Sequence, residues 1–311
     1  MSEHRTTAVD EVVQIEHFTM AFDRHTVIGD LSFSIGRGET FGFLGSNGSG
    51  KTTTIRALIG IYRATSGTLL INGRPFAPGN GTQLGYLPEE RGLYKKESVI
   101  DVMTYFGRLK GMAHDQARRW SMDYLERVDL AEHSSARLDR LSSGQQQKVQ
   151  LGVTIMNRPD LLILDEPTKG FDPVNRRLLF ELLDEQKRQG TTVMLVTHQM
   201  DEVERLCDRI VLLKNGRAEA YGTVTDVQDR YGGLTIRLRA TGPIPVSPQY
   251  TEVRRDGDDV ELAVADGADP AAILRHLVES GVSVSQFTTG RRSLDEIFLE
   301  VYGVDRGEPT R

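Results

Sequence analysis

The chain has 311 residues, enough for one large domain or a medium domain with a small one, and 38% hydrophobic against 26% charged residues describes a folded protein with a real core. A formal net charge of −6 gives no general electrostatic footprint for nucleic acid, and a single cysteine, Cys207, excludes an intrachain disulfide and a cysteine metal cluster. No apolar run approaches the ~20 residues of a membrane-crossing helix, and the polar residues 1–10 lack a signal-peptide core, so any membrane attachment is expected to come through a partner.

Residues 11–224 carry short aliphatic runs separated by helical stretches, the pattern of an α/β sheet. The first buried strand is predicted at 40–44, followed by a helix over 53–59. Residues 97–157 are predominantly helical and read as an inserted subdomain. Strands follow at 161–164, 192–197 and 210–213, the last turning at Asn215-Gly216, a pair that tolerates positive φ. Composition changes near Asp226, and 225–305 reads as a small α+β domain without a catalytic constellation. Within it a half-exposed strand is predicted at 234–239 and a hairpin over 252–264. Asp269-Pro270 is an N-cap and first-turn pair for a helix to Glu279, and Ser293-Leu294-Asp295-Glu296 is a capping box opening the last helix.

Between the first strand and helix lies Gly45-Ser46-Asn47-Gly48-Ser49-Gly50-Lys51-Thr52, followed by Thr53. Glycines at this spacing let successive backbone N–H groups point at phosphate oxygens, and the helix N-terminus adds partial positive charge there. Lys51 is placed to reach the β- and γ-phosphates and the Thr52 hydroxyl to ligate Mg²⁺. The strand at 161–164 ends in Asp165-Glu166, two adjacent acids whose desolvation and repulsion a cation would offset. Asp165 suits Mg²⁺, and Glu166 suits activation of an attacking water. His198, at the end of the 192–197 strand, could orient that water and touch the γ-phosphate.

Leu141-Ser142-Ser143-Gly144-Gln145-Gln146-Gln147-Lys148 opens a further helix, with Ser142 a natural N-cap. With residues 45–52, the acidic strand and His198, in this order and spacing, the segment resembles the signature of ABC ATPases over residues 11–224. The resemblance implies a P-loop NTPase fold and a head-to-tail dimer in which Ser142, Gly144 and Gln145 cap ATP bound to the opposite phosphate loop. It further implies that Phe22 stacks on adenine and that Asp172, in Gly170-Phe171-Asp172-Pro173, lies in the loop communicating across the dimer. Two departures stand out. Ser143 replaces the family's usual glycine, and Glu89, in Tyr86-Leu87-Pro88-Glu89-Glu90, replaces a glutamine that touches Mg²⁺ and links ATP to the membrane subunit. A glutamate there can also ligate Mg²⁺.

The segment 89–94 and the appended domain, ending in Ser293-Leu294-Asp295-Glu296-Ile297-Phe298-Leu299-Glu300, resemble ATP-binding subunits of bacterial ABC-2-type exporters of the sodium-extrusion and drug-resistance kind. That resemblance implies an ATPase working with separate transmembrane permease subunits, cytoplasmic and peripheral on the inner face of the cell membrane. Intact halves of both ATP sites favour a homodimer over a heterodimer. The competing reading, a non-transport ABC ATPase acting on ribosomes or DNA, lacks the expected second ATP domain or long coiled coil, and no nucleic-acid partner is expected.

Overall fold

The computed structural model describes residues 10–79, 83–90, 92–231 and 233–303; nearly all of the polar lead 1–10, Arg91 of the 89–94 segment and the last two residues of the 225–305 region lie outside them. The chain divides into two units, Met1–Tyr221 and Gly222–Arg311.

In the first unit, β1 (Glu11–Phe22) and β2 (His25–Gly36) form an antiparallel pair, and β3 (Thr40–Gly45) runs into the phosphate loop. Helix α1 (Lys51–Leu58) starts two residues before the predicted helix, because Gly50 at φ 107° serves as its N-cap. Next come β4 (Ser66–Ile71) and β5 (Leu84–Leu87), then the helical stretch α2 (Val99–Leu109), α3 (His114–Arg127) and α4 (Ser143–Ile155). The unit closes with β6 (Leu161–Asp165), α5 (Pro173–Arg188), β7 (Thr192–Val196), α6 (Met200–Leu206), β8 (Arg209–Lys214) and β9 (Arg217–Thr223), whose last two residues run past the division at Tyr221.

Six strands assemble in the order β5-β6-β7-β3-β8-β9, and neighbours from β5 to β8 pair in parallel. Parallel strands must be covered on both faces, which explains their unbroken aliphatic runs. Leu162 and Leu164 of β6, with Val193 and Leu195 of β7, pack into a core shared with α2, α3 and α4. Their alternates Leu161, Ile163, Met194 and Val196 pack instead with Phe41, Phe43, Ile55 and Leu58. That second core also takes Val13, Ile15 and Ile71 from a separate antiparallel sheet, β2-β1-β4. This sheet was not foreseen, because register shifts in the β1–β2 hairpin break the local alternation and β4 joins β1 from beyond the phosphate loop and α1. β8 and β9 meet through Asn215 and Gly216, both at positive φ, as expected of the turn.

The second unit holds α7 (Val224–Arg230), β10 (Leu234–Thr241), β11 (Tyr250–Asp256), β12 (Asp259–Val264), α8 (Pro270–Glu279), β13 (Ser283–Arg291) and α9 (Leu294–Tyr302). Its four strands are ordered β11-β12-β10-β13. Ile236, Leu238 and Leu262 are buried with Ile273 and Leu277 of α8. On the alternate positions Arg237 faces Glu261 and Arg239 faces Asp259 in register, opposite charges paired across the strands. Asp269 and Ser293 cap their helices as the sequence predicts. Strand β13 was not predicted, since it is largely exposed and too polar to stand out.

Candidate functional site

Because β5, β6, β7 and β3 are parallel and adjacent, the loops that follow them emerge along one edge of the sheet. There a cavity of about 660 Å³ is lined by Asn47, Gly48, Gly50, Lys51, Thr52 and Thr53 of the phosphate loop and α1. Glu89 after β5, Asp165 and Glu166 at the end of β6, and His198 after β7 face the same space. Four segments separated in sequence are thus brought together.

Close packing holds the loop in shape. A Cβ at Gly50 would strike the Ile28 side chain, and one at Gly45 would collide with Ser49 and lie 2.7 Å from the Leu213 carbonyl oxygen. Lys51 Nζ donates to the Gly45 and Ser46 carbonyls at 2.7 and 3.0 Å, so the curl is tied by its own lysine. Burial lowers the Lys51 pKa, opposed by the charges of Glu166, Asp165 and Glu89. Ser49 Oγ is buried without a hydrogen-bond partner, an orphan that an incoming acceptor oxygen would satisfy.

At the end of β6 the two acids differ in surroundings. Asp165 is buried, and its pKa is pushed up to about 6, first by burial and then by the nearby charges of Glu89 and Glu166. Glu166 adopts φ 50°, uncommon for a residue with a side chain, while its N–H donates to Val196 O at 2.8 Å. That bend turns its carboxylate toward β7, where Oε1 lies 2.7 Å from His198 Nδ1 and Oε2 accepts from Thr197 Oγ1 at 3.4 Å. With a carboxylate at Nδ1, the neutral imidazole carries its proton there and leaves Nε2 as an acceptor. Glu89 Oε1 accepts from Lys169 Nζ at 2.6 Å, a partner that sequence reasoning missed.

Thr52, Asp165 and Glu89 offer only hard oxygen donors, the chemistry that suits Mg²⁺. Among the described residues no group of three or more histidine, cysteine or acidic side chains is arranged to hold a metal ion by itself. Such a donor set fits an ion completed by phosphate and water oxygens, as Mg²⁺ ordinarily is at nucleotides.

The remaining predicted residues lie outside this cavity lining. Ser142 caps α4, its hydroxyl accepting from Gln145 N at 3.2 Å while Gln145 Oε1 accepts from Ser142 N at 2.9 Å. Gly144 sits against the next loop: a Cβ there would lie 3.4 Å from the Gly170 carbonyl oxygen. Asp172 caps α5, accepting from Asn175 N at 2.8 Å. Phe22 is 42% exposed and meets Tyr62 edge to face at 5.4 Å. Two buried glutamines on α4 were also missed. Gln147 donates to Pro167 O at 3.1 Å, and Gln150 reaches Pro88 O and Glu90 O at 3.5 Å. A glutamine-rich start to an otherwise aliphatic helix was the available signal.

Residues 28–169 match the family model for the ABC transporter ATP-binding domain, described as "ABC transporter", and residues 222–302 match "ATP-binding protein DrrA1-3-like, C-terminal domain". An uncharacterized ABC transporter ATP-binding protein of Methanocaldococcus jannaschii, MJ1023, is 43% identical over 216 residues, 69% of this chain and 79% of that protein. The chain belongs to the ABC transporter ATP-binding proteins. Another member, the Nod factor export ATP-binding protein I of Paraburkholderia xenovorans, is 35% identical over 94% of this chain and 98% of its own length. A solved ATP-binding subunit of an ABC transporter superposes with a TM-score of 0.67 at 31% identity, covering 71% of this chain and 94% of that one. The P-loop NTPase fold of the ABC ATPases is therefore that of this ABC protein. None of its described helices is long and apolar enough to cross a membrane.

Proposed function

We propose that this ABC protein hydrolyses ATP and that two copies, closing head to tail over two nucleotides, drive export through separate permease subunits. The observation that carries the reading is the Glu166 carboxylate, held 2.7 Å from His198 at the mouth of the phosphate loop beside Lys51 and Asp165. In hydrolysis a water gives a proton to Glu166 as its oxygen attacks the γ-phosphorus, and the bond to the β–γ bridging oxygen breaks to leave ADP and phosphate. His198 orients Glu166 and, through Nε2, the attacking water. Lys51 leaves its two loop carbonyls for the β- and γ-phosphate oxygens, whose charge it neutralises. Thr52, Asp165 and Glu89 would hold Mg²⁺, which supplies further charge neutralisation at the phosphates.

Ser142, Gly144 and Gln145 lie outside the cavity lining, which supports a site completed by the α4 N-terminus of a second copy. Phe22, exposed at the end of β1, would stack on adenine, and Asp172 would sit in the loop facing the partner. The Nod factor export relative supports the export direction, and a permease would hold the protein at the cytoplasmic face of the membrane. The test is Glu166→Gln. ATP affinity should persist and turnover fall by about 10²- to 10⁴-fold, the range for losing a general base, with an ATP-dependent dimer accumulating in solution. Wild-type turnover in this variant would overturn the assignment.

A further inference from the structure

The charge inside the nucleotide cavity involves more groups than the motif residues. Among the described residues, Glu89, Asp165 and Glu166 line it as acids, and Lys51, Lys169, Arg176 and His198 as bases. Lys51 is tied to its own loop, and His198 is engaged by Glu166. Arg176 is held by Asp201 at 2.9 Å and by the buried Glu202 at 2.8 Å. Lys169, on the segment between Glu166 and α5, instead donates to Glu89 on the loop after β5. Helix α4 braces both loops, through Gln147 to the Pro167 carbonyl and Gln150 to the Pro88 and Glu90 carbonyls. Their backbone positions, rather than a chance meeting of two long side chains, thus set the pair. The Glu89 charge reaches across the cavity. After burial it is the largest cause of the raised Asp165 pKa, ahead of the adjacent Glu166, and it also acts on Lys51.

We infer that Lys169 is a positioning residue for ATP: by holding Glu89 it makes half of a neutral pair out of an acid that otherwise faces the incoming triphosphate. The inference rests on the reading of this cavity as an ATP site. Without Lys169 the polyphosphate meets three carboxylates with one fewer compensating cation, and the like charges repel across the cavity. The Lys169 and Glu89 side chains are 63% and 47% exposed, so the pair contributes little to folding. Its effect belongs in ligand affinity and in the salt dependence of that affinity.

The experiment is calorimetric titration of full-length protein with ATP in EDTA, so that no metal enters, at low and high salt. Wild type is compared with Lys169→Gln, Lys169→Arg and the double variant Glu89→Gln/Lys169→Gln. At low salt Lys169→Gln should bind ATP about five- to tenfold more weakly, the scale of one partly screened charge, with a smaller loss at high salt. Lys169→Arg should keep wild-type affinity, the double variant should recover most of the loss, and the melting temperatures should coincide. Unchanged affinity in Lys169→Gln, or a double variant no better than the single one, overturns the inference while wild type still binds ATP. A wild-type chain that binds no ATP overturns the ATP reading itself and the inference with it.

Discussion

Asp165 sits where its charged form is disfavoured, with burial and two neighbouring acids raising its pKa from 3.8 to about 6. A carboxyl raised in the folded state contributes stability in full below about pH 4 and loses it as the pH climbs through about 6. At pH 8 the ligand-free protein therefore carries a destabilising charge of roughly 1–3 kcal/mol. Asp165→Asn keeps the shape and removes the charge. It should raise ligand-free stability by that amount in urea denaturation at pH 8, and the advantage should vanish near pH 4. Equal stability of the two proteins at pH 8 would count against this account. Glu166 pays a different cost, a backbone at φ 50° that Asn or Gly would adopt more readily. Both acids of the β6 terminus are thus held against local preference, a usual property of working sites.

At the scale of elements, α4 organises the first unit. Its buried glutamines reach the loops after β5 and β6, its N-terminus lies beside Gly170, and Gly152 lets it approach α3. A Cβ at Gly152 would strike the Tyr124 ring and lie 2.9 Å from Met103 Cε. Tyr124 cannot swing aside, because its hydroxyl donates to Lys148 O at 2.8 Å and its ring stacks on Trp120. Gly152→Ala should therefore cost about 1–2 kcal/mol net of helix propensity, read as a lower urea midpoint. A neutral or stabilising result would mean that the contact relaxes.

The same helix divides what could be read in the sequence from what could not. Ser142, Asp269 and Ser293 were legible as caps because a cap is settled within four residues, and the acid-tipped run at β6 because burial on both faces demands aliphatics. The Gly45–Thr52 loop was legible through its spacing. Gln147 and Gln150 were not, since a buried glutamine is identified by its distant carbonyl and not by its neighbours. Glu89 was legible as a departure from the family's motif, but its pairing with Lys169 escaped for the same reason, as did β4, which pairs with β1 across the intervening phosphate loop.

Across the whole molecule, each unit has its own buried core, the second built on Ile236, Leu238, Leu262, Ile273 and Leu277. Scanning calorimetry should resolve two unfolding transitions, and ATP should move only that of the nucleotide-binding unit. At a hundredfold excess over its Kd the ligand adds about 2.7 kcal/mol, or roughly 5–10 °C for a unit of this size. One merged transition that shifts as a whole would instead mean that the units unfold together. The order of the central sheet also bears on how the protein is made. β3 pairs with β7 on one side and β8 on the other, with Thr40 opposite Val193 and Leu44 opposite Leu212. The strand that leads into the phosphate loop therefore leaves the ribosome well before either strand that pairs with it. Until β7 and β8 are synthesised, Phe41 and Phe43 sit on an unpaired strand, so a chain stalled within the helical stretch is a substrate for chaperones before it can be a receptor for nucleotide.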